Sequence, residues 1–342
     1  MAERPIRVLV VDDSMFMRAS IEKALTHVGG FQIVGNARSG AEAVEQVRAL
    51  SPDVVTMDYN MPGMNGAETV RAIMKARPTP VIMFSAHTRQ GARETFEALA
   101  AGAVDFCTKP HGEVSTDLTA IAAELATKLR AAATSRPQAL APLRAQTTTP
   151  TPITLPPTGP RLVVIGVSTG GPAALSRVIP ALPVSTRFAT VVVQHMPAQF
   201  TKPLAERLDA LSAVMVKEAE PGNMPQPGLV LIAPGDRHLV FDDRGAVVLT
   251  DAPPVNSCRP SADVTMQSAA AVYGRRTIGV IMTGMGKDGA AGMLAIKRVE
   301  GRTLAQDRET SVIYGMPRAA IDAGAVDHVV PLDELARRLR FM

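Results

Sequence analysis

Residues 134–160 read TSRPQALAPLRAQTTTPTPITLPPTGP, with seven prolines in 27 positions and no apolar periodicity. Such a stretch can neither supply a sheet ladder nor sustain a helix, so it divides the 342 residues into two separately folded parts joined by a partly extended linker. The expected division is 1–130, a linker at 131–160, and 161–342. Each flank is long enough for its own core, and 46% hydrophobic with 20% charged residues is a globular balance. The formal charge of +4 splits into −1, +2 and +3 over the three segments. No domain therefore carries the basic surplus that would favour nucleic acid as a partner.

Two cysteines, Cys107 and Cys258, cannot build a disulfide framework, and neither belongs to a Cys-x-x-Cys pair. A reducing compartment, hence the cytoplasm, is expected. The N-terminal apolar run is broken by Asp12 and Asp13, and no run of about 18 apolar residues occurs, so neither a signal peptide nor membrane insertion is expected.

In the first part β-branched runs (IRVLVV, FQIVGNA, DVVTM, PVIMFS, VDF) alternate with helical patterns. That alternation predicts an α/β domain with a parallel sheet covered on both faces. Function in such folds collects where strands end. Asp12 and Asp13 follow the first strand, Asp58 the third, Ser85 the fourth and Lys109 the fifth. Crowded carboxylates repel unless a hard cation such as Mg²⁺ neutralises them. A carboxylate beside that metal could attack a phosphoryl donor, with Lys109 and Ser85 binding phosphoryl oxygens. Any one of the aspartates alone would read as a cap or turn former; five polar residues on four strand ends reverse that reading.

The set Asp12-Asp13, Asp58, Ser85 and Lys109-Pro110, with MPGMNG after the central Asp, resembles the receiver domain of two-component response regulators. The resemblance implies phosphorylation of Asp58 by a histidine kinase and Mg²⁺ held by Asp13, Asp58 and the backbone carbonyl of Asn60, with Asp12 assisting. It also implies a switch through Ser85 and Phe106. Phe106 lacks a hydroxyl, so a switch there would work by ring packing, and a plain core aromatic is the competing reading. Asn65 stands where the family often has Asp and reads as a turn position.

The second part opens on RLVVI followed by Gly166-Val167-Ser168-Thr169-Gly170-Gly171-Pro172 and a helical pattern. A serine on that turn projects above the sheet beside unpaired helix N–H groups, as a nucleophile would. The same turn could cradle a phosphate or simply cap the helix. A nucleophile needs a base, and His195 ends the next strand, TVVVQHMP, on the same sheet edge. His238 reads as part of an antiparallel excursion, and His328 lies near the last strand. Asp288, in IGVIMTGMGKDG, is the best partner to fix the imidazole tautomer, although Asp before a helix is also a favoured N-cap. Asp236 and Asp263 are weaker rivals. The order Ser168, His195, Asp288 differs from the Ser, acid, His order of α/β-hydrolases.

GVSTGGP, QHMP, CRPSADV, MTGMGKDGAAGM and QDRETSVIYGMPRAAIDAGAV resemble the catalytic domain of the CheB family of chemotaxis protein-glutamate methylesterases. The implied folds are two doubly wound parallel-sheet domains, a flavodoxin-like receiver and a Rossmann-like three-layer hydrolase. The implied activity is demethylation of glutamate 5-O-methyl esters on chemoreceptors, releasing methanol, and in some members deamidation of receptor glutamine. Ser168 is the implied nucleophile, His195 the general base and acid, and Asp288 the orienting acid. Thr169 and Met285 fall at active-site positions, as oxyanion-hole neighbours. No cofactor is implied for hydrolysis, and Mg²⁺ serves the receiver alone. Phosphorylation of Asp58 would relieve occlusion of the catalytic site. Residues 263–267 depart from the more apolar run expected after CRPS. The rivals are a nucleic-acid-binding output, for which no helix-turn-helix is evident, and a small-ester hydrolase of the α/β type.

Overall fold

Apolar runs buried on both sides and separated by amphipathic segments leave a chain little choice but parallel strands with helical crossovers. A computed structural model of the protein describes residues 4–85, 88–109, 118–135 and 161–341, in two units, 1–138 and 139–342. The linker residues 136–160 and Pro110 lie outside the described residues.

In the first unit the chain runs β1 (Ile6–Val11), α1 (Met15–Val28), β2 (Phe31–Ala37), α2 (Gly40–Leu50), β3 (Val54–Asp58), α3 (Gly66–Ala76), β4 (Val81–Ser85), α4 (Arg89–Ala100), β5 (Asp105–Thr108) and α5 (Leu118–Ala133). The five strands form one parallel sheet in the order β2-β1-β3-β4-β5. Every residue of β3 and β4 is buried, as expected of a sheet covered on both faces. α3 begins at Gly66, with Asn65, read above as a turn position, as its cap. The Asn65 side chain accepts from the Glu68 N–H and the Glu68 carboxylate accepts from the Asn65 N–H, so a neutral amide serves where an Asp would also fit. α5 continues to Ala133, past the residue 130 expected as the domain limit. Leu125, Ala126, Leu129 and Ala132 form one buried stripe, and that burial holds residues 131–133 in the helix.

The second unit runs β6 (Arg161–Val167), α6 (Gly171–Val178), β7 (Phe188–Gln194), α7 (Ala198–Leu211), β8 (Met215–Glu218), β9 (Leu229–Ile232), β10 (His238–Phe241), β11 (Val247–Thr250), α8 (Ala262–Tyr273), β12 (Thr277–Ile281), α9 (Ala290–Arg298), β13 (Arg302–Gln306), α10 (Met316–Asp322), β14 (His328–Val330) and α11 (Leu332–Arg340). Seven strands form a parallel sheet in the order β14-β13-β12-β6-β7-β9-β8. The β10–β11 hairpin stands apart as an antiparallel pair, with His238 as its first residue. Its apolar side chains Leu239, Phe241 and Val247 pack with Met266, Ala269 and Ala270 of α8 in the main core. The Phe241 and Tyr273 rings meet edge to face at 5.4 Å. None of the described helices is long and apolar enough to cross a membrane.

The topology decides where chemistry can sit. β6 lies between β7 and β12, so strand order reverses there, and the crevice outside the carboxyl ends of those strands is a natural binding place.

Asn65→Ala removes one half of the capping box at the start of α3. It should lower the stability of the receiver unit by about 1 kcal/mol, read as a lower urea midpoint at unchanged slope. Asn65→Asp should keep the midpoint, and an unchanged midpoint in the Ala variant would refute the capping role.

Candidate functional site

Three turns at the carboxyl ends of β6, β7 and β12 build the site in the second unit. Val167 pairs with Gln194 across β6 and β7, and the His195 N–H donates to the Val167 carbonyl at 3.1 Å, which puts Ser168 and His195 on neighbouring strand ends. The Ser168 turn is set by Gly170 at φ +78° as the N-cap of α6. A side chain at Gly170 would need a left-handed backbone and would meet Val312 at 2.8 Å. Gln194, which is buried, ties the two turns together. Its amide Nε2 donates to the Ser168 carbonyl at 3.0 Å and to the His195 carbonyl at 3.1 Å. From the other side Gly284 approaches closely, since a Cβ there would stand 2.7 Å from Ser168 Cβ.

Asp288 follows β12 and does not cap its own helix: the N-cap of α9 is Gly289. Its carboxylate instead lies at the start of α8. Oδ2 accepts from the Ala262 N–H at 2.6 Å and from His195 Nε2 at 2.8 Å. Oδ1 accepts from Ser261 Oγ at 2.7 Å, Asn256 Nδ2 at 3.2 Å and the Asp263 N–H at 3.3 Å. Asp263, a residue of α8, returns the exchange by accepting from the Gly292 N–H in the first turn of α9 at 2.7 Å. Each of the two helices is thus capped by a carboxylate belonging to the other's neighbourhood.

With Nε2 committed to Asp288, the nitrogen left for chemistry is Nδ1. It faces Cys258 Sγ at 3.6 Å. Among the described residues no hydrogen bond joins the Ser168 hydroxyl to His195, so the resting site holds the imidazole–carboxylate pair formed and the serine beside it unengaged. Burial disfavours the imidazolium, but the hydrogen bond to Asp288 and the contact with Cys258 outweigh it, and the His195 pKa rises to about 9. Burial likewise works against the Asp288 carboxylate, yet His195, Ser261 and the Ala262 N–H outweigh it and hold its pKa at about 2.

Thr169 and Met285 lie on the turns that follow β6 and β12. Thr169 is buried, and its carbonyl accepts from Thr283 Oγ1 at 3.0 Å. Met285 is partly exposed directly after Gly284. Asp236 is exposed at φ +62°, and His238 is buried with its nitrogens near Pro253 and Ser261, so neither stands in the constellation. Residues 263–267 fall in α8, where Asp263, Thr265 and Met266 are buried. Reading residues singly does not find Asn256, Ser261, Gln194 or Cys258, although all four lie in or directly beside the segments QHMP and CRPSADV. Their signal was that several polar residues cluster beside Pro, which suits a fixed loop as well as a site.

In the first unit the three aspartates and Lys109 come together at the strand ends. One oxygen each of Asp12, Asp13 and Asp58 lies within 4.8 Å of the others. Lys109 Nζ lies 2.8 Å from Asp58 and 3.0 Å from Asp12. Three converging hard oxygen donors suit a divalent cation of the Mg²⁺ kind. Burial raises the Asp58 pKa, Lys109 opposes the rise, and Asp12 adds to it. For Lys109 burial is again outweighed, here by the carboxylates of Asp58 and Asp12, and its pKa is raised. Asn60 uses its side chain on Glu94 at 3.2 Å. The Ser85 hydroxyl is turned to α4, donating to the Gly91 carbonyl at 3.0 Å and accepting from Thr95 Oγ1 at 2.6 Å, so it is not joined to Asp58. Phe106 is buried, with the Lys128 ammonium 5.1 Å from its ring centre.

Among families of known proteins, the model for the CheB methylesterase matches residues 163–339, and that for the response regulator receiver domain matches residues 8–120. A protein-glutamate methylesterase/protein-glutamine glutaminase of Symbiobacterium thermophilum is 46% identical over 352 residues, covering 98% of this chain and 96% of the relative. One of Thermotoga maritima is 46% identical over 342 residues, covering 99% of each. The crystal structure of the Thermotoga maritima CheB methylesterase catalytic domain is 46% identical, covers 53% of this chain and 98% of its own, and superposes with a TM-score of 0.52.

The His195–Asp288 pair has a definite alkaline signature. A raised histidine pKa contributes stability that is whole below about 6.5 and is lost as pH rises through about 9. Calorimetry should therefore show the catalytic unit's transition falling faster over that interval in the parent protein than in Asp288→Asn, where the cation loses its partner. Equal slopes would mean that the pair is not ionised in the native state.

Proposed function

Because the chain belongs to the CheB methylesterase family and carries a receiver domain ahead of the catalytic region, we propose that it is a phosphorylation-controlled hydrolase in chemotactic adaptation. Its substrates are glutamate 5-O-methyl esters on chemoreceptors, and receptor glutamines where the leaving group is ammonia in place of methanol. It acts in the cytoplasm. The observation that carries this reading is the His195 imidazole, on the strand end next to that of Ser168 and held through Nε2 by a carboxylate with five donors.

Ser168 Oγ attacks the ester carbonyl while His195 Nδ1 takes its proton. Asp288 fixes Nε2–H and stabilises the imidazolium that forms. The role is that of the familiar serine triad with the two ring nitrogens exchanged. Backbone N–H groups at Thr169 and Met285 are assigned to the developing oxyanion. When the tetrahedral species collapses, the imidazolium returns its proton to the departing methoxide, giving methanol and an acyl-enzyme. Water then repeats the sequence, with Nδ1 as base, and frees the glutamate. None of these steps calls for a cofactor.

In the receiver, Asp58 is the phosphoryl acceptor, supplied by a histidine kinase. Asp13, Asp58 and the Asn60 carbonyl, assisted by Asp12, would hold Mg²⁺, which when bound neutralises the crowded charge of the carboxylates and incoming phosphoryl oxygens. Lys109 binds a phosphoryl oxygen, and Ser85 leaves Gly91 to bind another, with Phe106 answering by repacking. The Pro-rich segment serves as the tether between regulator and hydrolase.

Ser168→Ala should reduce methanol release from methylated receptor by at least about three orders of magnitude, the usual scale for loss of a nucleophile. Retained turnover would end the proposal. Only the neutral imidazole accepts a proton, so hydrolysis in the parent protein should climb with pH until about 9. A plateau already reached near pH 7 would show that His195 is not the base. Asp58→Asn should keep basal hydrolysis and lose its stimulation by acetyl phosphate; a variant still stimulated would have another acceptor.

A further inference from the structure

The ester hydrolysis leaves Cys258 without a task, although the thiol touches the reacting nitrogen. Its Sγ lies 3.6 Å from His195 Nδ1, and its other polar contact is the Asn256 carbonyl at 3.4 Å. The turn that presents it is fixed on the same carboxylate that orients the imidazole: Asn256 Nδ2 donates to Asp288 Oδ1 at 3.2 Å and to Asp263 Oδ2 at 2.9 Å. Asn256 and Ser257 hold φ of 52° and 61°, a left-handed pair that non-glycine residues adopt only where the surroundings impose it. Cys258, His195 and Asp288 therefore form a contiguous run of thiol, imidazole and carboxylate. A partly accessible thiol paired with an imidazole is the setting in which cysteine becomes reactive. Cys107 offers the contrast, being wholly buried, with burial pushing its thiol pKa up.

We propose that Cys258 is a modification site, a second nucleophile that shares His195 and Asp288 with Ser168 and that a hydroperoxide converts to the sulfenic acid, arresting hydrolysis. The consequence for hydrolysis rests on the function proposed above; the reactivity of the thiol does not. The S–H proton passes to His195 Nδ1, and the thiolate sulfur attacks the terminal peroxide oxygen. An S–O bond forms and the O–O bond breaks; sulfur gives up two electrons and the peroxide takes them. The departing alkoxide, or hydroxide from hydrogen peroxide, is protonated by the imidazolium, so the products are Cys258–SOH and an alcohol or water. The new oxygen lies against Nδ1, where the Ser168 proton must go. Two equivalents of an external thiol restore the cysteine, yielding a disulfide and water.

The full-length protein is treated with hydrogen peroxide, trapped with dimedone and mapped by mass spectrometry, with methanol release measured in parallel. Cys258 should be labelled and Cys107 spared, and labelling should slow at least about tenfold in His195→Ala, which removes the base. The ratio of treated to untreated hydrolysis should fall in step with the label, recover with dithiothreitol, and stay constant in Cys258→Ala and Cys258→Ser, whatever their basal rates. Labelling of Cys258 no faster than that of free cysteine, or equal loss of hydrolysis in the Cys258 variants, would overturn the proposal. If labelling is fast and depends on His195 while untreated protein releases no methanol, the nucleophile assignment stands and the hydrolase reading fails.

Discussion

The catalytic unit depends on a buried carboxylate that is fully satisfied. Moving the Asp288 charge out of water would cost several kcal/mol if it were left bare, and a carboxylate in that position would take up a proton. Five donors prevent this, two of them backbone N–H groups at the start of α8. The helix needs an acceptor there in any event, because its first N–H groups have no partner inside the helix. Placing the carboxylate at that point satisfies the helix and anchors the imidazole with one group. The reciprocal contact from Asp263 to Gly292 fixes α9 against α8, so the turn carrying Asp288 is held from both ends. Loss of His195 would remove one of five partners, whereas loss of Asp288 would leave Ser261, Asn256, two N–H groups and the imidazole seeking an acceptor.

Much of this arrangement was legible in the sequence and part was not. Periodicity and β-branched runs defined the strands and the sheet class, and strand ends located Asp12, Asp58, Lys109, Ser168 and His195, because in a parallel sheet those positions converge. Composition near residue 131 announces the linker, while the burial of Ala132, which carries α5 on to Ala133, depends on packing in three dimensions. Asp288 was found for its chemistry, but the helix it caps could not be read, since a preference for acids before helices says nothing about which helix is nearest in space. Cys258 and Asn256 were missed for a related reason: they reach the site through a left-handed turn between the hairpin and α8, and no local pattern encodes where such a turn points. Ser85 was located correctly by its strand end, while its rotamer, directed at Gly91 and Thr95, is set by contacts with α4.

The two acidic centres of the chain obey one rule with opposite results. Both Asp58 and Asp288 are buried, and burial alone raises a carboxyl pKa. At Asp288 the donors outnumber the charge, so the pKa falls to about 2 and the group remains an anion that orients its neighbour. At Asp58 the ammonium of Lys109 is shared with Asp12, whose own negative charge works against ionisation, and the pKa is raised. A carboxylate left short of positive partners is more basic and nucleophilic than one saturated with them, and its charge is the one that an added cation or phosphoryl group can most change. For these two aspartates the balance of donors and neighbouring charge, more than burial, sets the direction of the pKa.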